Sequence, residues 1–242
     1  MDLYRAGLRA EIAVRKTRKY ATSESGDTLE VIERPLGGLS VVLADGQRSG
    51  RSAKHISTMV VRKTVALLAE GVRDGAAARA AADYLYAERR GRVQATLNIL
   101  SVDMVSQTLV VTRNNPLPVY LVRRGELVVL DEDARPVGVR RYTRPVVTEV
   151  DLEPGLWALM FTDGLAHAGQ RLGRTWDVGA FFFQAVQEGL TPYGVAQALI
   201  TEALRLDEGR PSDDVSLVVL YIARHPSSQA PIREMDIRLP MV

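Results

Sequence analysis

The sequence predicts an α+β fold, a central β-sandwich of two mainly antiparallel sheets flanked by helices. Three observations carry that expectation. Patterning switches between period two and a spacing of three and four, in the order strands, two helices, several strands, two helices, one strand. The strands are separated by short turns rich in Gly, Asn and Pro, which suit antiparallel neighbours. Leu156 to Phe161 is an unbroken apolar run closed at Asp163-Gly164, the pattern of a fully buried strand.

Taken in order, Leu8 to Tyr20 sets Leu8, Ala10, Ile12 and Val14 against Arg9, Glu11 and Arg15, a half-buried first strand. Ser23 to Asp27 is a turn. Thr28 to Glu33 and Leu39 to Ala44 are the next two strands, joined through Pro35-Leu36-Gly37-Gly38. Antiparallel pairing of those two brings Asp27, before the first, close to Asp45, after the second. From Ser52 to Gly71, Ile56, Met59, Val60, Lys63, Leu67 and Leu68 recur at helical spacing, with Ser52 as N-cap and Gly71 at C′. An alanine-rich helix follows from Asp74 to about Arg90, and the short link between the two predicts a helical hairpin.

Period two returns at Gln94 to Val102, Thr108 to Thr112, Val119 to Val122 and Glu126 to Leu130. Asn114-Asn115-Pro116 is a turn, Arg135 to Gly138 a loop, and Val146 to Leu152 a strand leading into Leu156 to Phe161. Ala166 to Thr175 reads as a polar loop beside Asp163. Trp176 to Glu188 and Thr191 to Asp207 read as helices, the second with Pro192 at an N1-like position, and Val215 to Ile222 closes as a strand. Residues 1–223 are expected to form a single domain. Residues 224–242, with Pro226, Pro231 and Pro240, are expected to form a C-terminal tail over the surface, partly disordered.

The 242-residue chain is long enough for a substantial core, and its 46% apolar and 25% charged content is that of an ordinary soluble protein. No apolar stretch approaches the roughly 18 residues of a membrane span, and Met1 to Ala6 lacks a secretory pattern. The absence of cysteine excludes disulfides and thiolate metal sites and fits a cytoplasmic protein. The 31 basic and 29 acidic residues leave a net charge of +2. The one dense basic cluster, Arg15 to Lys19, has a single aromatic neighbour, Tyr20, and reads as a solvated strand, so neither nucleic acid nor membrane is expected as a partner.

Asp27, Asp45, Asp163 and Asp213 or Asp214 all fall at strand ends. Taken singly, Asp-Gly and Asp-Asp are ordinary turn sequences. Gathered in space, two carboxylates about 4 Å apart repel by about 4 kcal/mol at an effective dielectric near 20, so a cluster calls for cations. Hard divalent ions, Mg²⁺ or Mn²⁺, match an all-carboxylate set. Two of them could bridge and activate a water and clamp a phosphoryl group. Other chemistries lack their motifs. There is no P-loop and no serine elbow, Asp131 to Arg135 is not a calcium loop, and His55, His167 and His225 show no ligand spacing.

Ser25-Gly26-Asp27, Ala44-Asp45-Gly46 with Gly50 and Ala53 entering a helix, Phe161 to Leu165, and Ser212 to Ser216 resemble, in order, the motifs of metal-dependent protein phosphatases. This is the PPM, or protein phosphatase type 2C-like, family, and the branch resembled is the bacterial SpoIIE-like one. The resemblance spans roughly residues 8 to 223 and implies α-β-β-α layers. It implies that Asp45 bridges two Mn²⁺ or Mg²⁺ ions with the carbonyl of Gly46 on one, that Asp163 and Asp213 hold the other, and that Asp27 acts partly through water. Asp45, Asp163 and Asp213 are thereby the expected catalytic set. The implied reaction is hydrolysis of phosphoserine or phosphothreonine by the bridging water, in regulatory signalling. The implied partner is a phosphorylated protein such as an anti-sigma-factor antagonist, and the two helices after Gly46 resemble a regulatory switch. Arg48 stands where the family often has glycine, Asn114-Asn115-Pro116 where Gly-His-Pro is common, and His167 where glutamate is common. The competing expectation is a catalytically silent module of this fold that regulates a partner; a third, hydrolysis of small phosphate esters, shares the site.

Overall fold

The computed structural model describes residues 7–225 and 232–238. The chain runs β1 (Leu8–Thr17), β2 (Asp27–Glu33), β3 (Leu39–Gly46), α1 (Gly50–Ala69), α2 (Asp74–Arg89) and β4 (Ala95–Asp103). It continues through β5 (Thr108–Asn114), β6 (Val119–Arg123), β7 (Glu126–Leu130), β8 (Val146–Asp151) and β9 (Trp157–Phe161). The last elements are α3 (Asp163–Ala166), α4 (Val178–Gln187), α5 (Pro192–Leu206) and β10 (Val215–Arg224).

Among the described residues the strands form two five-stranded sheets, ordered β1-β10-β9-β6-β7 and β2-β3-β4-β5-β8. Every pairing within them is antiparallel. The α+β sandwich expected from the pattern is the observed architecture. Strand faces explain the layering. Along β3, Val41 and Leu43 meet Met160, Val218 and Leu220 of the other sheet, while Val42 and Ala44 meet Val60 of α1 and Ala78 and Ala82 of α2. On the far side, Leu159 and Phe161 of β9 and Val219 of β10 pack on Phe182 of α4 and Leu199 of α5. The central strands are thus buried on both faces, and this is why Val41 to Ala44 and Leu156 to Phe161 are continuous apolar runs rather than alternating ones.

Local signals place most boundaries. Thr191 caps α5 by accepting from Gly194 N at 3.2 Å, with Pro192 in the first turn, and Gly71 takes a left-handed φ of +84° just past α1. α1 begins earlier than expected, with Ser49 rather than Ser52 at its N-cap, because Ala53 packs directly on Gly46 and tightens the turn. The Arg15 to Lys19 cluster is less solvated than its composition implies. The Arg15 guanidinium lies 4.0 Å from the Tyr193 ring centroid and its Nε bonds Gln197 at 3.0 Å, while Lys16 turns toward β2.

Arg233 of the expected tail pairs with Glu33 at 3.1 Å and donates to the Gly37 carbonyl at 2.8 Å, so that stretch lies on the surface of the sandwich. Residues 1–6 of the expected domain, and 226–231 and 239–242 of the expected tail, lie outside the described residues. Among the described residues no helix is long and apolar enough to cross a membrane.

Candidate functional site

The β2–β3 pairing sets Asp27 directly opposite Asp45, as the short hairpin link predicts. In the other sheet, β9 runs antiparallel to β10 with Phe161 opposite Leu217, so the end of β9 and the start of β10 coincide. Asp163 follows β9 by two residues and Asp213 precedes β10 by two, which brings both to one edge. Asp163 is not on a bare Asp-Gly turn. It opens α3, a single helical turn, because the backbone folds back at once against the β10 entry: His167 N donates to Asp163 O at 2.8 Å.

The two sheets are stitched at this edge by Asp27. Its Oδ2 accepts from Thr162 Oγ1 at 3.0 Å and from Ser216 Oγ at 2.6 Å, across the sandwich. Its Oδ1 is buried with no hydrogen-bond partner. Burial pushes the Asp27 carboxyl up to about 7, against the pull of those two hydroxyls. Asp45 is pushed to about 9, first by burial and then by the charges of Asp27, Asp163 and Asp213. Asp163 is raised as well, by burial and then by Asp213. The four aspartates therefore share one electrostatic neighbourhood.

Of the acidic pair, Asp214 is occupied by the backbone. Its Oδ1 accepts from Lys19 N at 2.8 Å and its Oδ2 from Gly26 N at 2.7 Å, so it shapes the turn that presents Asp27. Among the described residues Asp213, half-buried, accepts only locally, from Asp214 N at 2.9 Å through Oδ1, and is the member of the pair facing the charges of Asp45 and Asp163.

Two glycines let the backbone close around the site. A Cβ on Gly46 would run into the carbonyl oxygen of Ala53 in α1, and one on Gly164 into that of Asp214. From α1, Lys54 Nζ donates to Asp27 O at 2.8 Å and Ser57 Oγ to Gly26 O at 2.5 Å, while Lys16 Nζ of β1 reaches the same Asp27 carbonyl at 2.7 Å. Residue-level reasoning assigned no role to Thr162, Ser216, Lys16, Lys54 or Ser57. The available signals were local: Thr162 adjoins Asp163, and Lys54 and Ser57 share one helix face at i and i+3.

Arg48 takes a left-handed φ of +81° and, like Arg51, is exposed. Asn114 is the last residue of β5, paired with Leu97, rather than the first of the expected turn; it is buried, its Nδ2 donating to the carbonyls of Arg135 at 3.0 Å and Arg144 at 3.3 Å, so this strand end anchors a loop. His167 is exposed beside Asp163 and counteracts the rise in its pKa.

Among the described residues no three acidic or histidine side chains stand as a closed metal-ligand cluster. The aspartates converge on one edge without closing on one point, as carboxylates that oppose one another's ionisation do. The donor set nevertheless fits a hard divalent cation. It offers carboxylate oxygens alone, one of them, Asp27 Oδ1, buried and unpartnered.

A family model described as Stage II sporulation protein E (SpoIIE) matches residues 35–223. The Stage II sporulation protein E of Bacillus subtilis is 20% identical over 201 residues, 82% of this chain; the chain spans 24% of that protein's length. The solved structure of the PP2C phosphatase domain, with a fragment of the regulatory domain, of the cell fate determinant SpoIIE from B. subtilis superposes with a TM-score of 0.78. It is 18% identical, with 91% of this chain and 65% of that one covered. The catalytic domain of the serine threonine protein phosphatase PstP, in complex with two manganese ions, superposes with a TM-score of 0.69 at 20% identity, covering 89% of this chain and 99% of that one. These structures share the sandwich fold with this chain.

Proposed function

The chain belongs to the Stage II sporulation protein E (SpoIIE) family, and from that premise we propose that it is a metal-dependent phosphatase acting on phosphoserine or phosphothreonine in a partner protein. The observation that carries this reading is the field around Asp45. Asp27 opposes it across β2–β3, and Asp163 and Asp213 act on it from the other sheet.

Asp45, the Gly46 carbonyl, Asp163 and Asp213 are the residues assigned to hold two Mn²⁺ or Mg²⁺ ions, with Asp27 touching one directly or through water. When bound, the ions supply a water of lowered pKa and offset charge on the phosphoryl oxygens. The protein's own contribution is positional. Thr162 and Ser216 fix the Asp27 rotamer, and Lys16, Lys54 and Ser57 pin the start of β2. Gly46 lets α1 lie against the strand end that carries Asp45. The manganese bound by PstP supports the choice of ion class, and the cell-fate role of the B. subtilis relative supports a signalling setting. The substrate assigned is a phosphorylated regulatory protein of the anti-sigma-factor-antagonist kind.

The test is hydrolysis of p-nitrophenyl phosphate and of a phosphoserine peptide while Mn²⁺ is titrated, with Asp45→Asn and Asp163→Asn alongside. Activity that rises with Mn²⁺ and falls at least about a hundredfold in both variants is expected for a two-metal site. Undiminished metal-dependent activity in either variant overturns the site. Calorimetric Mn²⁺ binding without turnover of either probe marks the silent regulatory module instead.

A further inference from the structure

The small net charge conceals an uneven distribution. Residues 50–92 carry nine Arg and Lys against four Asp and Glu, a net +5 within a chain of net +2, so the remainder is acidic on balance. The excess concentrates where α2 ends. There Arg89, Arg90 and Arg92 meet Arg140 and Arg141 from the loop between β7 and β8, which then runs back along α2 to set Pro145 by Gly75. The Arg141 guanidinium lies 5.2 Å from the ring centroid of Tyr86 in the last turn of α2, and a Cβ on Gly91 would come within 3.2 Å of the Val139 carbonyl oxygen. All but Arg89 are exposed, and among the described residues none of the five takes part in an ion pair. Arg89 is half-buried, with its Nε unpartnered, in a cleft of about 390 Å³ that Arg90 and Arg92 also line, with Glu88 the one acidic side chain among the described residues there.

The loop is held in place. Tyr142 N donates to Asp83 Oδ1 at 3.0 Å, Thr143 Oγ1 to Arg140 O at 2.9 Å, and buried Asn114 to Arg144 O. Its position relative to the candidate site is set by β4. Ala95 pairs with Gly46 and Thr96 with Asp45, and Arg92 precedes Ala95 by three residues, ~10 Å of extended chain.

We propose that this arginine surface docks an acidic segment of the phosphoprotein substrate, flanking the phosphorylated residue; the inference rests on the phosphatase reading above. Unpaired guanidiniums offer forked donors that match carboxylates. The surface spans one helix end and one loop, too compact for the longer stripe of phosphate contacts that a nucleic acid requires. Charge complementarity at the rim of a site acts mainly on encounter rate and selectivity, so the effect belongs in kcat/KM and is screened by salt.

The test compares the wild-type protein and the triple variant Arg90→Glu, Arg92→Glu, Arg141→Glu under Mn²⁺. The probes are p-nitrophenyl phosphate, a phosphoserine peptide with Asp and Glu three to five residues to either side, and the same peptide with Asn and Gln there. The wild-type protein is expected to prefer the acidic peptide about tenfold in kcat/KM at low salt, with the preference lost in the variant and at high salt. Turnover of p-nitrophenyl phosphate should agree within about twofold, showing that the variant is folded. Equal use of both peptides by the wild-type protein, or a preference that survives in the variant, overturns the docking. If no probe is hydrolysed, the phosphatase reading is what fails, and anisotropy of the labelled acidic peptide decides the docking separately. Binding lost in the variant supports it, and no binding overturns it. Binding of duplex DNA lost in the variant, with no binding of the acidic peptide, assigns the surface to nucleic acid and also overturns it.

Discussion

Asp45 stands directly across the β2–β3 pair from Asp27, and Asp27 is the largest single charge opposing its ionisation. Two facing carboxylates at the rim of a core are a standing source of instability in the absence of a cation.

Asp45→Asn should therefore separate stability from function. Removing the carboxyl stabilises the metal-free protein by roughly 1–3 kcal/mol, and the same change removes Mn²⁺-dependent activity. Denaturant unfolding in EDTA measures the first effect, and a variant less stable than wild type would refute the account of the site.

Stability of the metal-free protein should depend on pH with a defined sign. Asp27 near 7 and Asp45 near 9 keep protons in the fold that the unfolded chain, at about 3.8, has released. The folded state binds more protons across that window, so stability is highest at its acid end and falls as pH rises toward 9, by at most ~1.4 kcal/mol per pH unit per group. Mn²⁺ binds the ionised carboxylates and should reverse the trend. Thermal unfolding at pH 5, 7 and 9, in EDTA and in Mn²⁺, reads both slopes; a melting temperature in EDTA that climbs from pH 5 to 9 contradicts the burial of these groups.

Gly46→Ala should be destructive beyond the loss of a flexible residue. The added methyl meets the Ala53 carbonyl, a backbone atom that cannot move without shifting α1 from β3. A loss of roughly 2–3 kcal/mol is expected from overpacking, along with weaker metal binding by calorimetry. Gly125→Ala is the control, since its left-handed φ of +81° strains the backbone but its Cβ meets nothing within 4 Å. Equal losses at the two positions would mean that the contact is not what matters.

Arg48→Gly should stabilise. Arg48 holds a φ of +81°, a conformation that costs a non-glycine residue about 1 kcal/mol or more. A gain of about 1 kcal/mol in chemical unfolding is expected. A loss would show that the Arg48 side chain makes interactions worth more than the strain.

Several of these relationships were legible in the chain itself. The facing of Asp27 and Asp45 follows from a short link between two strands, and the period-two and helical spacings placed the elements to within a few residues at most ends. The choice between Asp213 and Asp214 was not legible from spacing, because it depends on which carboxylate the backbone of Lys19 and Gly26 consumes, 195 and 188 residues away. Thr162 and Ser216 were visible only as neighbours of acidic residues. Their function exists because β9 and β10 of one sheet abut β2 of the other.

The basic residues divide the same way. Arg15 to Lys19 is dense in sequence yet partly spent on Tyr193 and the Asp27 carbonyl, whereas Arg89 to Arg92 and Arg140-Arg141, far apart in sequence, form one surface. By itself the sequence determined the element order, the fold class and the acidic strand ends, because periodicity and turn chemistry act between residues close along the chain. Only the tertiary structure decided which carboxylates share a field, which are tied down and where positive charge accumulates. Those properties depend on register across sheets and on burial, and both arise only when distant segments exclude water together.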